Sequence, residues 1–280
     1  MWLEGKPGTA ILLPGVPYEM RMLLENEVIP RIEGRGKREE GRAELIRSLT
    51  LRTTGIGESA LAEKIGEIED RIAPVTLAYL PSVEGVDLRL TAWGMEAARA
   101  TEVLELAAVQ LRLAAAHHWY GDDDTDLAAM VLDRLRGRGE RLAVAESCTG
   151  GMLGERITAV PGSSSVFVGG VISYADRVKT VELGVPESAL LTHGAVSEPV
   201  VEAMVRGVVK KFGVEAGMAV TGVAGPEGGT PEKPVGTVWL AAAHGSEIKT
   251  VKRRFMGGRQ EVRARSVQAA LDLLRALIPS

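Results

Sequence analysis

Leu142-Ala143-Val144-Ala145-Glu146-Ser147-Cys148-Thr149-Gly150-Gly151 is the stretch whose reading decides the fold. Four consecutive apolar residues make a short buried strand, which breaks into a small, polar, glycine-bearing turn that opens a helix. Upstream, Leu127, Val131 and Leu135 form a helical stripe. Downstream, Val166 to Tyr174 is an apolar strand run with a weak point at Gly169-Gly170. Ser197 starts a helix carrying Val200, Val201, Met204, Val205, Val208 and Val209 on one side. Ala216 to Val220 and Val235 to Ala243 read as strands, and Ile248 to Phe255 as an edge strand. Val267, Ala270, Leu271, Leu274 and Leu277 stripe the last helix. Strands and helices alternate, so residues 125–280 are expected to form a layered α/β sandwich. Such scaffolds present ligand-binding groups where apolar runs end in small polar clusters.

Ahead of this piece, residues 43–121 read as a small α+β domain. Leu45 to Thr53 is β-rich, and Gly55-Ile56-Gly57-Glu58-Ser59 turns into a helix capped by Glu58 or Ser59. Thr76 to Leu80 and Val86 to Ala92 are strands around the Ser82–Gly85 turn, and Met95 to His117 is a long helix. His117 and His118 are assigned to that helix's C-terminal dipole. Asp122-Asp123-Asp124 is read as a linker and N-cap. Residues 1–38 hold a strand at Thr9–Leu13, the turn Pro14-Gly15-Val16-Pro17, and a helix from Tyr18 to about Ile32. That is too little surface to fold alone. The charged run Gly34 to Arg42 is expected to be a solvated linker.

Composition narrows the function. The chain has 280 residues, 45% hydrophobic, with a net charge of −4. That balance argues against a general nucleic-acid binder, and 4% aromatics argue against base-stacking platforms. One cysteine, Cys148, excludes an internal disulfide framework and fits a reducing compartment. The first residues, Met-Trp-Leu-Glu-Gly-Lys, lack a signal-peptide core, and no run of eighteen apolar residues offers a membrane span. The expectation is a cytoplasmic protein that contacts neither nucleic acid nor membrane.

The chemistry gathers in five clusters. Pro161-Gly162-Ser163-Ser164-Ser165 exposes a hydroxyl at a tight turn. A serine is inert until its proton is removed, and Tyr174 and Lys179 follow closely enough in sequence to be candidates for that work. Ser147, Thr149, Gly150 and Gly151 could receive an anion on helix-terminal N–H groups, or Ser147 or Thr149 could cap that helix. Cys148 is the rival nucleophile. Thr221-Gly222-Val223-Ala224-Gly225-Pro226-Glu227-Gly228-Gly229 is neither a Walker loop nor a dinucleotide fingerprint. It is read either as a ligand-covering loop or as a long hairpin connection. Arg259 and Arg263, one turn apart at the start of the last helix, could grip a phosphate. A hydroxyl, a lysine and a tyrosine in this setting suggest a covalent hydrolase that calls for no metal and no cofactor.

In order and spacing, AESCTGG, PGSS, the Tyr-x4-Lys of ISYADRVK, GAVSE, TGVAGPEGG and KPVGTV resemble the C-terminal domain of the competence/damage-inducible CinA family. The resemblance implies nicotinamide-nucleotide amidase activity, converting nicotinamide mononucleotide to nicotinate mononucleotide and ammonia. It implies Ser164 as nucleophile with Tyr174 and Lys179 activating it, Ser147 as a site serine, and Arg259 on the phosphate, with Arg263 beside it. Residues 43–121 resemble the family's middle domain, with GIGES its clearest mark. Leu13-Pro14-Gly15-Val16-Pro17 with Glu19-Met20 resembles the end of a molybdopterin-binding-like domain, of which residues 1–38 would be a remnant. The ADP-ribose pyrophosphatase activity associated with that domain is therefore not expected here. A homodimer acting on a pyridine nucleotide is expected. The alternative is a non-catalytic nucleotide-binding or regulatory module.

Overall fold

The computed structural model describes residues 1–6, 8–36 and 45–279. It divides into two units, one of residues 1–47 and 92–103, the other of 48–91 and 104–280.

In the first unit, strands β1 (Trp2–Glu4) and β2 (Thr9–Ile11) pair antiparallel, with Trp2 opposite Ile11. Sequence reading finds β2 and misses β1, whose three residues carry no periodicity. Helix α1 (Pro17–Leu23) starts on a proline at its first position, where the missing N–H costs nothing. A π-helical turn, Leu24–Val28, leads into α2 (Ile29–Gly36). Gly34 to Gly36 are thus helical rather than linker, and the rest of that charged run, from residue 37, lies outside the described residues.

The second unit contains most of a four-stranded sheet. In chain order its elements are β3 (Leu45–Thr53), α3 (Glu58–Ile65), α4 (Ile68–Arg71), β4 (Thr76–Pro81), β5 (Val86–Met95), α5 (Ala97–Ala115) and β6 (Trp119–Asp122). The sheet order is β4-β5-β3-β6. Val86, Leu88, Leu90 and Ala92 alternate buried along β5, as period-2 patterning requires. Three sequence expectations are corrected here. Helix α3 is capped by the backbone of Gly57, not by Glu58 or Ser59. Helix α5 ends at Ala115, and the His118 ring Nδ1 lies 3.0 Å from the Thr54 carbonyl after a 3-10 turn. Asp122 belongs to β6, and the cap of the next helix is Asp126, which accepts from the Ala129 N–H at 2.8 Å.

The remainder is the expected α/β sandwich. Its elements are α6 (Leu127–Arg138), β7 (Leu142–Glu146), α7 (Met152–Thr158), β8 (Phe167–Ile172), α8 (Asp176–Leu183), α9 (Glu187–His193), α10 (Glu198–Phe212), β9 (Ala216–Gly222), β10 (Thr237–His244), β11 (Glu247–Arg254) and α11 (Arg259–Arg275). The sheet runs β11-β10-β9-β7-β8, with β7 parallel to both β8 and β9 and β10 antiparallel to β9 and β11. Alternation along β7 divides the core. Leu142 and Val144 pack with α6, α7 and α11 residues such as Leu135, Leu153 and Leu271. Ala143 and Ala145 join Val201, Met204 and Val208 of α10. Gly207 lets α10 approach the end of α8 closely, since a Cβ there would stand 1.9 Å from the Leu183 carbonyl oxygen. The Gly169-Gly170 pair is no break in β8. A Cβ on Gly170 would meet Val144 Cγ2 at 2.6 Å, so glycine is what allows the strand to lie against β7.

Candidate active site

Three parallel strands, β7, β8 and β9, end on one side of the sheet, and the loops beyond their carboxyl ends converge. Strand β7 lies between the other two, which makes this the switch point where open α/β sheets place ligands. After β7 come Glu146 to Gly151, after β8 come Ser173 and Tyr174, and after β9 come Val223 to Gly225. The start of α11 supplies the arginines.

Arg259 ties two of these segments together. Its guanidinium donates to the Gly225 carbonyl at 2.8 Å and to the Tyr174 phenolic oxygen at 3.1 Å. Arg263, one turn on, donates to the Thr149 carbonyl at 2.6 Å and 3.2 Å. Gly225 holds a left-handed φ of 82°, where a Cβ would strike Val235 at 2.5 Å, so glycine presents its carbonyl there. The glycine-rich loop is a hairpin connection, since it joins the paired strands β9 and β10, and it reaches the site through that carbonyl.

The Glu146–Gly151 turn is built differently from expectation. The Glu146 carboxylate, 2% exposed, accepts from the N–H groups of Gly151, Leu153 and Gly154 at 2.8–3.0 Å. The start of α7 is therefore filled by the chain's own anion, and the Gly151 N–H is not available to an external one. Sequence reading misses this role of Glu146; the signal for it is an acidic residue just before a glycine pair that opens a helix. Neither Ser147 nor Thr149 caps α7 with its side chain. Thr149 Oγ1 is buried with no hydrogen-bond partner among the described residues, and Ser147 is nearly buried.

Lys179, on α8, is 1% exposed. Its amine donates to the Ser173 carbonyl at 2.9 Å, to Asp176 Oδ1 at 3.3 Å and to the Tyr174 carbonyl at 3.4 Å. It meets the Tyr174 backbone, not the phenol. Burial pushes the Cys148 thiol up to about 12, with the Glu146 carboxylate acting in the same direction. A thiol protonated across the neutral range is a poor nucleophile.

Ser164 lies elsewhere. It is exposed, in a 3-10 turn (Ser163–Ser165) that precedes β8, whereas Tyr174 follows that strand. Six strand residues put roughly 17–20 Å between the two ends. Arg136 borders the serine turn, donating to Ser165 Oγ at 3.0 Å and to the Gly162 carbonyl at 3.2 Å. Within one chain the fold thus gathers Tyr174, Lys179, Thr149, Gly225, Arg259 and Arg263, and does not bring Ser164 to them.

Among the described residues no group of three or more His, Cys, Asp or Glu side chains could hold a metal ion, and no helix is long and apolar enough to cross a membrane. A cavity of about 340 Å³ opens away from this site, between the Gly55–Glu58 turn and the α11 residues Arg265 and Gln268.

Comparison with known proteins places these features. The CinA C-terminal domain matches residues 124–278, and the damage-inducible protein CinA KH domain matches residues 48–121. A CinA-like protein of Gemmatimonas aurantiaca is 50% identical over 276 residues, covering 98% of this chain and 64% of the relative. One from Parasynechococcus marenigrum is 45% identical, covering 98% and 65%. The chain therefore spans a little under two thirds of the length of these relatives. Among solved structures, the competence/damage inducible protein of Agrobacterium tumefaciens is 38% identical with a TM-score of 0.53, covering 54% of this chain and 93% of that one. A CinA superfamily protein of Escherichia coli is 34% identical with a TM-score of 0.53, covering 54% and 88%. The chain belongs to the CinA family.

Proposed function

We propose that this chain is a nicotinamide-nucleotide amidase, hydrolysing the carboxamide of nicotinamide mononucleotide to nicotinate mononucleotide and ammonia. The observation that carries the reading is the Arg259 bridge from Gly225 to Tyr174 at the carboxyl ends of the parallel strands. A substrate phosphate can take the guanidinium in place of the Gly225 carbonyl, and a phosphate is the stronger acceptor. Because Arg259 donates to the phenolic oxygen, the Tyr174 hydrogen is left to point at the substrate.

The chemistry is acyl transfer in two halves. Ser164 Oγ attacks the carboxamide carbon, and the carbonyl π pair moves to oxygen. One chain holds Ser164 and the Tyr174–Lys179 pair at opposite ends of β8. The serine proton therefore passes to the Lys179 amine, directly or through the Tyr174 phenol, of a second copy in the expected homodimer. Two of the three Lys179 contacts are long, at 3.3 and 3.4 Å, and are the ones that can be exchanged for this role. The tetrahedral adduct collapses, the carbon–nitrogen bond breaks, and the proton leaves with ammonia. Water, deprotonated by the same base, then cleaves the acyl ester. Arg259 and Arg263 orient the nucleotide and contribute proximity.

Ammonia release from nicotinamide mononucleotide by the full chain tests this, with Ser164→Ala as the comparison. Turnover that disappears in the variant, with binding retained, supports the assignment. Turnover that survives sinks the nucleophile, and binding without turnover in the wild type favours the regulatory-module reading.

A further inference from the structure

The Gly55-Ile56-Gly57-Glu58-Ser59 turn has no part in the amidase reading, yet it helps wall the cavity of about 340 Å³ that opens away from the candidate active site. Two regular elements face it there. Helix α11 presents Arg265, Gln268 and Asp272, spaced three and four apart on one face. Strand β11 and the residue after it present Val251, Arg253 and Phe255, at every second position. The volume is that of a pocket for a small molecule.

The charges around this cavity are unevenly paired. Of its carboxylates, Glu84 is held by Arg52 at 3.1 Å and Asp272 by Arg275 at 2.7 Å, while Glu58 is exposed at the first position of α3. The arginines of the wall are not held in this way. Arg265 Nε is buried with no hydrogen-bond partner among the described residues, and Arg253 donates to the Lys252 carbonyl at a long 3.4 Å. A buried guanidinium N–H without an acceptor is costly, and an acceptor entering the cavity removes that cost. Gln268 is 5% exposed, and its amide nitrogen reaches Thr54 Oγ1 at only 3.4 Å. Helix α3 adds further donors. Gly57 caps it without a side-chain bond, and Leu61 is the first residue whose N–H bonds back, to the Gly57 carbonyl at 2.9 Å. The N–H groups of Glu58, Ser59 and Ala60 are left for an outside acceptor.

We infer that this cavity is a second ligand site, for a phosphate monoester of small-nucleotide size. Guanidinium forks and a helix N-terminus together suit a phosphate dianion. The donors come from three elements, β11, α11 and α3, and a tetrahedral phosphoryl group turns three oxygens outward to meet them. A carboxylate offers two, in one plane. The apolar side chains of Val251, Phe255, Ala269 and Leu273 cover the organic part, and the Gln268 amide holds one of its polar atoms. This site is separate from the one at Arg259 and stands whether or not the chain is an amidase.

Calorimetric titration with adenosine monophosphate tests the inference. The full chain is used with Arg259→Ala and Arg263→Ala in place, so that the candidate active site has lost its phosphate grip. One nucleotide per chain should bind. Adding Arg265→Gln or Arg253→Gln should each weaken that binding by about tenfold or more, the loss of a charge-assisted contact. Arg253 is exposed on its strand, so its replacement leaves the fold intact, and circular dichroism checks both proteins. Inorganic phosphate should compete, but about tenfold more weakly or worse, because it leaves the apolar wall uncovered. No binding in the parent variant, binding that ignores both added substitutions, or equal affinity for adenosine monophosphate and inorganic phosphate overturns the inference.

Discussion

Arg259 and Tyr174 stand 85 positions apart in the chain, and the guanidinium of the first donates to the phenolic oxygen of the second at 3.1 Å. This bond joins the start of the last helix to the loop after β8, and with the Gly225 carbonyl it defines the floor of the site. Replacing Arg259 by alanine should lower kcat/KM for nicotinamide mononucleotide on the order of 10- to 100-fold, the cost of losing charge-assisted bonds. Lysine should rescue poorly, because one ammonium cannot reproduce a planar fork reaching two oxygens. Steady-state kinetics on both variants check this, with the loss expected mainly in KM.

Glu146 holds the turn from inside. Its carboxylate accepts three backbone N–H groups while nearly fully buried. Glu146→Gln keeps the shape and loses the charge, and should cost about 2–3 kcal/mol of stability. Denaturant titration of the two proteins measures it.

Cys148 is expected to be inert. With the thiol pushed up to about 12 by burial, it stays protonated through the neutral range. Thiol-directed reagents should leave the folded protein unlabelled at about pH 7, and Cys148→Ala should retain turnover. A thiol whose folded value lies above its ordinary 9.0 favours the folded state below that pH, and the contribution is lost as pH rises toward 12.

Asp126 gives the opposite dependence. Burial alone would push its carboxyl up, but hydrogen bonds from Arg156 and from the helix N–H of Ala129 outweigh burial and hold it below the ordinary range. Its stabilisation is present above the unfolded carboxyl value and is lost as pH falls through the depressed folded one. Asp126→Ala should cost about 1 kcal/mol at neutral pH, as a lost N-cap does, and the difference from wild type should shrink in acid. Thermal unfolding from neutral pH down to about pH 3 checks the sign.

Much of the sandwich is legible in the sequence because its elements are strongly periodic. The valine stripe of α10 and the leucine stripe of α11 specify helices, and the apolar runs at Leu142 and Ala216 specify buried strands. Arg259 and Arg263 are legible as a pair because i, i+4 residues share a helix face. What sequence leaves out is non-local. No pattern announces the π turn at Leu24–Val28, and Glu146 finds N–H partners only once the chain has turned back on itself. Ser164 and Tyr174 look adjacent in sequence, but an extended strand between two residues separates them as a helix would not. The strand run is itself legible, and its consequence for the site can be read from residues 166–174.

The central claim is most directly tested by identifying the product. The full chain, incubated with nicotinamide mononucleotide in the presence of EDTA, should yield nicotinate mononucleotide and ammonia in equal amounts, and Ser164→Ala should yield neither. Intact nicotinamide mononucleotide after prolonged incubation with folded wild-type protein would contradict the account.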